Sequence, residues 1–316
     1  SLSLSTFSLT LNGDLINNGG TISGSGAVII TGTVAQNIGV FTTTGLVSMT
    51  KTAGTATFTG NVNGGGLTLN GTGGTLNLGT GLTHTFTGTW TRTNGTLNGG
   101  SSILQLSGGT PVSGTGGTFT AAGGTVEYSG AAQTVVALFY NNLTLSGSGT
   151  KTFATSTTIG NDISINTGVV ADLGTALTHT SVTLYLGGIL QSSGSWGSSS
   201  SAASNPDNTF FAPTNGILFV GTCSPGSWTG LTSTDWNDLG NWCDGAVPGA
   251  STNVTILSGG NQPIIGAAAL CNSITIGAGA SLTITGSNTL TVSGSWSNAG
   301  SFTANTSTVI FDGAAQ

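Results

Sequence analysis

Five oxygen-bearing side chains, Asp235, Asn237, Asp238, Asn241 and Asp244, fall within one ten-residue stretch. Hard oxygen donors at that density are what a Ca²⁺ ion takes, with Asp235, Asn237, Asp238 and Asp244 as the candidate ligands. The stretch lacks the Asp-x-Asp-x-Asp-Gly order and the bidentate Glu of a helix–loop–helix calcium loop. Asx side chains that close turns account for the same residues, so both readings stand. Trp228, Trp236 and Trp242 lie in the same segment, CSPGSWTGLTSTDWNDLGNWCDGAVP (223–248). Their flat faces suit stacking on the rings of surface glycans, and suit equally the packing of the end of a core.

Two histidines invite a metal or catalytic reading. His84 and His179 each sit in Leu-Thr-His-Thr, at matching places of two longer repeats. A side chain copied along with its repeat reads as a structural rung. The carboxylates outside the Trp segment, Asp14, Glu127, Asp162, Asp172 and Asp207, are widely separated, with Arg92 alone among them. Spacing places no two of them as the acid and base of a lyase or glycosidase. The sequence therefore predicts no catalytic residue, no enzyme, and no cofactor besides the calcium option. Thr85-Phe-Thr87-Gly-Thr89-Trp-Thr91-Arg-Thr93 is the longest alternation of threonines. A flat threonine ladder orders water and would suit ice, although the phase of the threonines shifts along the chain.

Composition narrows what can carry these groups. Only 4% of the 316 residues are charged, against roughly 25% in ordinary soluble domains. Hydrophobic residues make up 36% and the net charge is −6, so the chain is not the low-hydrophobicity, high-charge kind that stays disordered. Three Lys and Arg in total cannot neutralise a run of phosphates, which excludes nucleic acid as a partner and an anionic membrane surface with it. No apolar run reaches the length that spans a bilayer, so no membrane insertion is expected.

Glycine, with 55 copies, interrupts the chain too often for helices. What recurs is short alternation, as in Leu9-Thr-Leu11, Leu143-Thr-Leu145, Ile163-Ser-Ile165 and Leu282-Thr-Ile284. Each is a strand with one apolar face. Repetition runs on two scales. LNLGTGLTHTFTG (76–88) matches ADLGTALTHTSVT (171–183) at an offset of 95, and Leu67-Thr-Leu69 matches Ile163-Ser-Ile165 at 96. Lys51-Thr52 matches Lys151-Thr152 at 100, and TVEYSGAAQ (125–133) returns as TVIFDGAAQ (308–316), as if a third copy were beginning. On the finer scale, SLTLNG (8–13), THTFTG (83–88) and TLTVSG (289–294) share one phrase, and ILQLSGG (103–109) sits about 22 residues before VEYSGAA (126–132). A period near 22 predicts an all-β parallel β-helix, or β-solenoid, whose stacked coils share one core. Tandem immunoglobulin-like sandwiches fit the hundred-residue repeat as the alternative. The expected divisions are a solenoid at 1–222, a Trp/Cys-rich cap or junction at 223–253, and the start of a further solenoid module at 254–316.

The phrases GGTVEYSGAAQTV (123–135), GSWGSSSSAASNPDNTFF (194–211) and WTGLTSTDWNDLGNWCDGAVPGASTNVTI (228–256) resemble the giant repeat-rich surface proteins of Bacteroidota. Many of those are type IX secretion cargo or gliding-adhesin-like. The resemblance implies export to the cell surface, a part in adhesion or fibre building, and neighbouring modules or other copies of the same protein as partners. In an exported chain, Cys223, Cys243 and Cys271 imply one disulfide and an odd thiol. Cys243–Cys271 is the preferred pair, with Cys223 left for a partner elsewhere. The reading that results is a structural spacer or fibre segment. A carbohydrate-binding module built on the Trp/Asp segment is the alternative, and an ice-binding surface a weaker one.

Overall fold

The computed structural model describes residues 1–221, 226–230, 233–242, 246–258 and 261–313. Their regular structure is strand, apart from a single 3-10 turn at Leu239–Asn241. The strands are those of a β-solenoid: each coil lies on the coil before it and pairs with it in parallel. Leu143 pairs with Ile163 and Ile163 with Leu184, so a coil takes about twenty residues. Ile103 pairs with Thr125, at the 22-residue spacing read between ILQLSGG and VEYSGAA. Parallel pairing at this short range rules out immunoglobulin-like sandwiches, whose sheets are antiparallel.

The chain divides into two compact units, Ser1–Gly221 and Thr222–Gln316. In the first, an eleven-stranded sheet is parallel through ten strands, from Leu2–Leu4 to Thr183–Leu186. Alternation explains its core. Val126, Leu143, Ile163 and Leu184 form one inward ladder, and Tyr128, Leu145, Ile165 and Leu186 a second. None of the eight is more than 4% exposed. Each contributes roughly 1.5–3 kcal/mol by leaving water, and none could do so in an isolated coil. Glu127, Thr144, Ser164 and Tyr185 occupy the outward positions between them.

The far end of this unit breaks the parallel rule. Ile189–Leu190 turns back antiparallel on Thr183–Leu186, and Gly194–Gly197 pairs antiparallel with Ile217–Val220. The Ser-rich stretch 194–211 is tied down by its own side chains. Ser198 Oγ donates to Thr214 O at 2.8 Å, and Asp207 Oδ1 accepts from the amides of Thr209 and Phe210.

The second unit is a smaller stack with three sheets of three parallel strands. The first holds Val254–Ile256, Ile274–Ile276 and Trp296–Asn298; the second Ile264–Ile265, Ser281–Ile284 and Ser301–Thr303; the third Ala269–Cys271, Thr289–Val292 and Thr308–Phe311. No helix among the described residues is long and apolar enough to cross a membrane.

Not every sequence match survives as a structural match. Leu67–Leu69 lies in the strand Gly66–Asn77 of a nine-stranded sheet, whereas Ile163–Ile165 belongs to the eleven-stranded one. The threonine run also divides. Thr85 is in Thr80–Phe86 of the eleven-stranded sheet, and Thr91 and Thr93 are in Trp90–Asn98 of the nine-stranded sheet. The chain turns a corner between them, so these hydroxyls do not form one flat face.

Candidate functional site

The Trp segment is laid onto the first coil of the second unit as an extra rung. Ser227 bridges in parallel to Thr255, and Asp235 to Ile264. That placement drops the three indoles onto the end of the core. Trp228, Trp236 and Trp242 are 7%, 0% and 3% exposed, so the rings are turned into the core rather than laid open to solvent. They pack on each other instead. Trp242 meets Trp228 and Trp236 edge-on, with centroids 5.0 and 4.7 Å apart, a favoured aromatic geometry. Trp228 Nε1 donates to Asn261 O at 2.7 Å, and Trp242 Nε1 to Trp236 O at 2.7 Å. Trp236 Nε1 is buried without an acceptor among the described residues. Because these rings close the end of a core, Trp236→Ala is expected to destabilise the second unit by about 3–5 kcal/mol. Guanidinium unfolding followed by tryptophan fluorescence checks this; an unshifted midpoint contradicts it.

The acidic side chains around the indoles are engaged in the turn itself. Asp235 Oδ1 accepts from the Asn237 amide at 2.9 Å, which closes an Asx turn. Ser233 Oγ donates to Asp238 Oδ2 at 3.2 Å. Asn241, fully buried, accepts from the Ser233 amide and donates to Asp235 O at 2.8 Å. Among the described residues no three His, Cys, Asp or Glu side chains gather as metal ligands. Asp244, the remaining calcium candidate, lies outside the described residues, as do Cys223 and Cys243. Cys271 is a buried free thiol inside the coil stack, and desolvation pushes its pKa up to about 11. The bridge expected between Cys243 and Cys271 has one end, Cys243, outside the described residues.

The histidines are rungs of the first unit with nearly the same surroundings. His84 Nε2 meets Leu78 O at 2.8 Å, and His179 Nε2 meets Leu173 O at 3.0 Å. His84 packs on Phe58 and His179 on Phe153, with centroids 4.9 and 4.4 Å apart. Both rings are fully buried. Desolvation lowers both pKa values, that of His179 to about 4. They differ at Nδ1: in His84 it accepts from the Val62 amide at 3.1 Å, and in His179 it has no partner among the described residues.

The other acids each accept from their own neighbourhood. Asp14 takes the Asn37 amide, Glu127 the Ser146 hydroxyl, Asp162 the Thr183 hydroxyl, and Asp172 the Gly174 amide and Thr214 hydroxyl. Arg92 lies over the Trp90 ring at 5.7 Å and donates to Gly117 O. A cleft of about 110 Å³ between the early coils, lined by Ile22, Val40 and Phe41 among others, falls short of the several hundred Å³ of small-molecule sites.

What the sequence did not reveal is the burial of both lysines. Lys51 and Lys151 are fully enclosed in the first unit, and desolvation lowers both pKa values. The available signal was their recurrence at an offset of 100 in a chain with no other lysine.

A family model described as a domain of unknown function, DUF8693, matches residues 227–312. The match begins at the bridge from Ser227 and ends in the last described coil, so it spans the Trp segment together with the coils beneath it. No curated protein and no solved structure matches the chain.

Proposed function

We propose that this chain is a structural segment of an exported bacterial surface protein, a stiff and weakly charged spacer that is not an enzyme. The observation that carries the reading is the unbroken parallel stack in the first unit, ten rungs on one sheet over a single core. Such a stack has no hinge between coils, because every coil is hydrogen-bonded and packed to the next. The exterior fits passive exposure. Both lysines are inside, so the cation-poor surface has little to offer phosphate or anionic lipid. The sequence resemblance to type IX-exported, gliding-adhesin-like proteins supports the cell surface as the location, and neighbouring modules of the same protein as the partners.

Single-molecule pulling on the full chain by its ends tests the mechanical reading. The expected record is resistance followed by stepwise lengthening as coils detach. Extension at forces that merely straighten a flexible linker would overturn it. Saturable binding of the intact chain on a glycan array would move the reading to a carbohydrate-binding module.

A further inference from the structure

A buried ammonium needs acceptors, and both lysines have them without any carboxylate. Lys51 Nζ donates to Val34 O and Gln36 Oε1 at 2.8 Å and to Thr31 O at 3.4 Å. Lys151 Nζ donates to Gly130 O at 2.6 Å, to Ser148 O at 3.0 Å, and to Ala131 O. Three acceptors match the three protons of an ammonium, and every acceptor is an uncharged oxygen. The two cages stand about a hundred residues apart, and each has a glutamine beside it. Gln36 Nε2 donates to Leu11 O and Gly13 O, and Gln133 Nε2 to Leu106 O and Gly108 O. Gln133 and Lys151 are paired residues of adjacent coils. Each glutamine–lysine set therefore satisfies carbonyls at the corners of successive coils, where the chain bends and the sheet ladder is interrupted. Left alone, such inward carbonyls would each be a buried polar group without a partner.

Several neutral carbonyl oxygens converging on one positive charge are also how proteins hold potassium, an ion close to ammonium in size. We propose that the corner cages around Lys51 and Lys151 are monovalent-cation sites filled by the protein's own side chains. The tether makes occupancy independent of ions in the medium. A free ion occupies such a site only in proportion to its concentration, whereas a tethered amine is always present. Removing the lysine stem and head should leave the cage open to ammonium, methylammonium or potassium.

Thermal unfolding of the full chain tests this, with wild type, Lys151→Ala and Lys151→Met each in sodium, potassium, ammonium and methylammonium chloride at equal ionic strength, with and without chelator. Wild type should melt at one temperature throughout. Lys151→Ala should melt about 5–10 °C lower in sodium, because the caged carbonyls lose their donor. It should recover about half of that or more in ammonium or methylammonium. Lys151→Met, which keeps the stem and fills the space without a charge, should fall similarly and recover nothing. Should Lys151→Ala fail to fold in sodium, its refolding yield in ammonium becomes the readout, with recovery expected. The proposal fails if wild type responds to the cation, if Lys151→Ala melts like wild type, or if no cation restores Lys151→Ala. Lys51→Ala repeats the test at the independent cage.

Discussion

Gly65→Ala is expected to destabilise the first unit by on the order of 3 kcal/mol or more, and Gly88→Ala to do the same one coil later. A β-carbon at Gly65 would clash with the carbonyl oxygen of Thr44, and one at Gly88 with the carbonyl oxygen of Gly65. The obstacle in each case is backbone, which cannot rotate away as a side chain can. The same edge of the stack continues below and above: a β-carbon on Gly45 would lie 2.7 Å from Gly26 O, and one on Gly108 would lie 2.8 Å from Gly88 O. These glycines are required because coils approach to strand-pairing distance at a bend. A methyl group there must push whole coils apart. Gly109→Ala is the control, since a β-carbon at that position meets nothing within 4 Å. It should be neutral or slightly stabilising, by up to about 1 kcal/mol through the unfolded chain. Urea midpoints of the three variants decide the matter, and equal midpoints would refute the corner argument.

The coil was legible in the sequence because its period is short and its pattern is binary. Val126 and Tyr128 repeat the inward positions of Leu104 and Leu106 at 22 residues, which is what ILQLSGG and VEYSGAA announce. Assignment of phrases to faces was not legible. The phrases SLTLNG and THTFTG run through Leu9–Leu11 and Thr80–Phe86, yet these strands belong to the nine- and eleven-stranded sheets respectively. Every face of a solenoid needs an inward pair followed by a bend, so the phrase marks a face without saying which one. Coils of unequal length then move matches off register: Thr125 to Asn142 takes 17 residues, against 22 for Ile103 to Thr125. The tryptophans and their acidic neighbours left two readings open because composition does not report burial. The burial of the lysines left no such opening, since lysine is almost never buried without a paired charge. Their partners are main-chain carbonyls and an amide, which leave little mark on composition.

Acidification should destabilise the first unit between pH 6.5 and about 4, with His179 as a principal source. Its imidazole is held neutral by burial, with a folded pKa of about 4 against an ordinary value of 6.5. Between those two values the unfolded chain binds a proton that the folded chain refuses, so stability falls as pH falls. Above 6.5 both states are neutral and the contribution is complete. Below about 4 both are protonated and no further loss comes from this group. A difference of this size corresponds to about 3 kcal/mol across the window. His84 acts in the same direction, since burial lowers its pKa as well. Protonation there also opposes a contact, because Nδ1 accepts the Val62 amide and an imidazolium nitrogen only donates. At His179 the same nitrogen has no partner to lose among the described residues, so desolvation dominates. Unfolding midpoints at pH 7.5, 5.5 and 4.0 should therefore decline steeply for wild type and more gently for His179→Gln. A double variant, His84→Gln with His179→Gln, should be nearly flat over that range even where its stability at pH 7.5 is lower. If the double variant keeps the wild-type slope, the acid response belongs to the carboxylates, and the histidines are packing groups whose titration does not reach the fold.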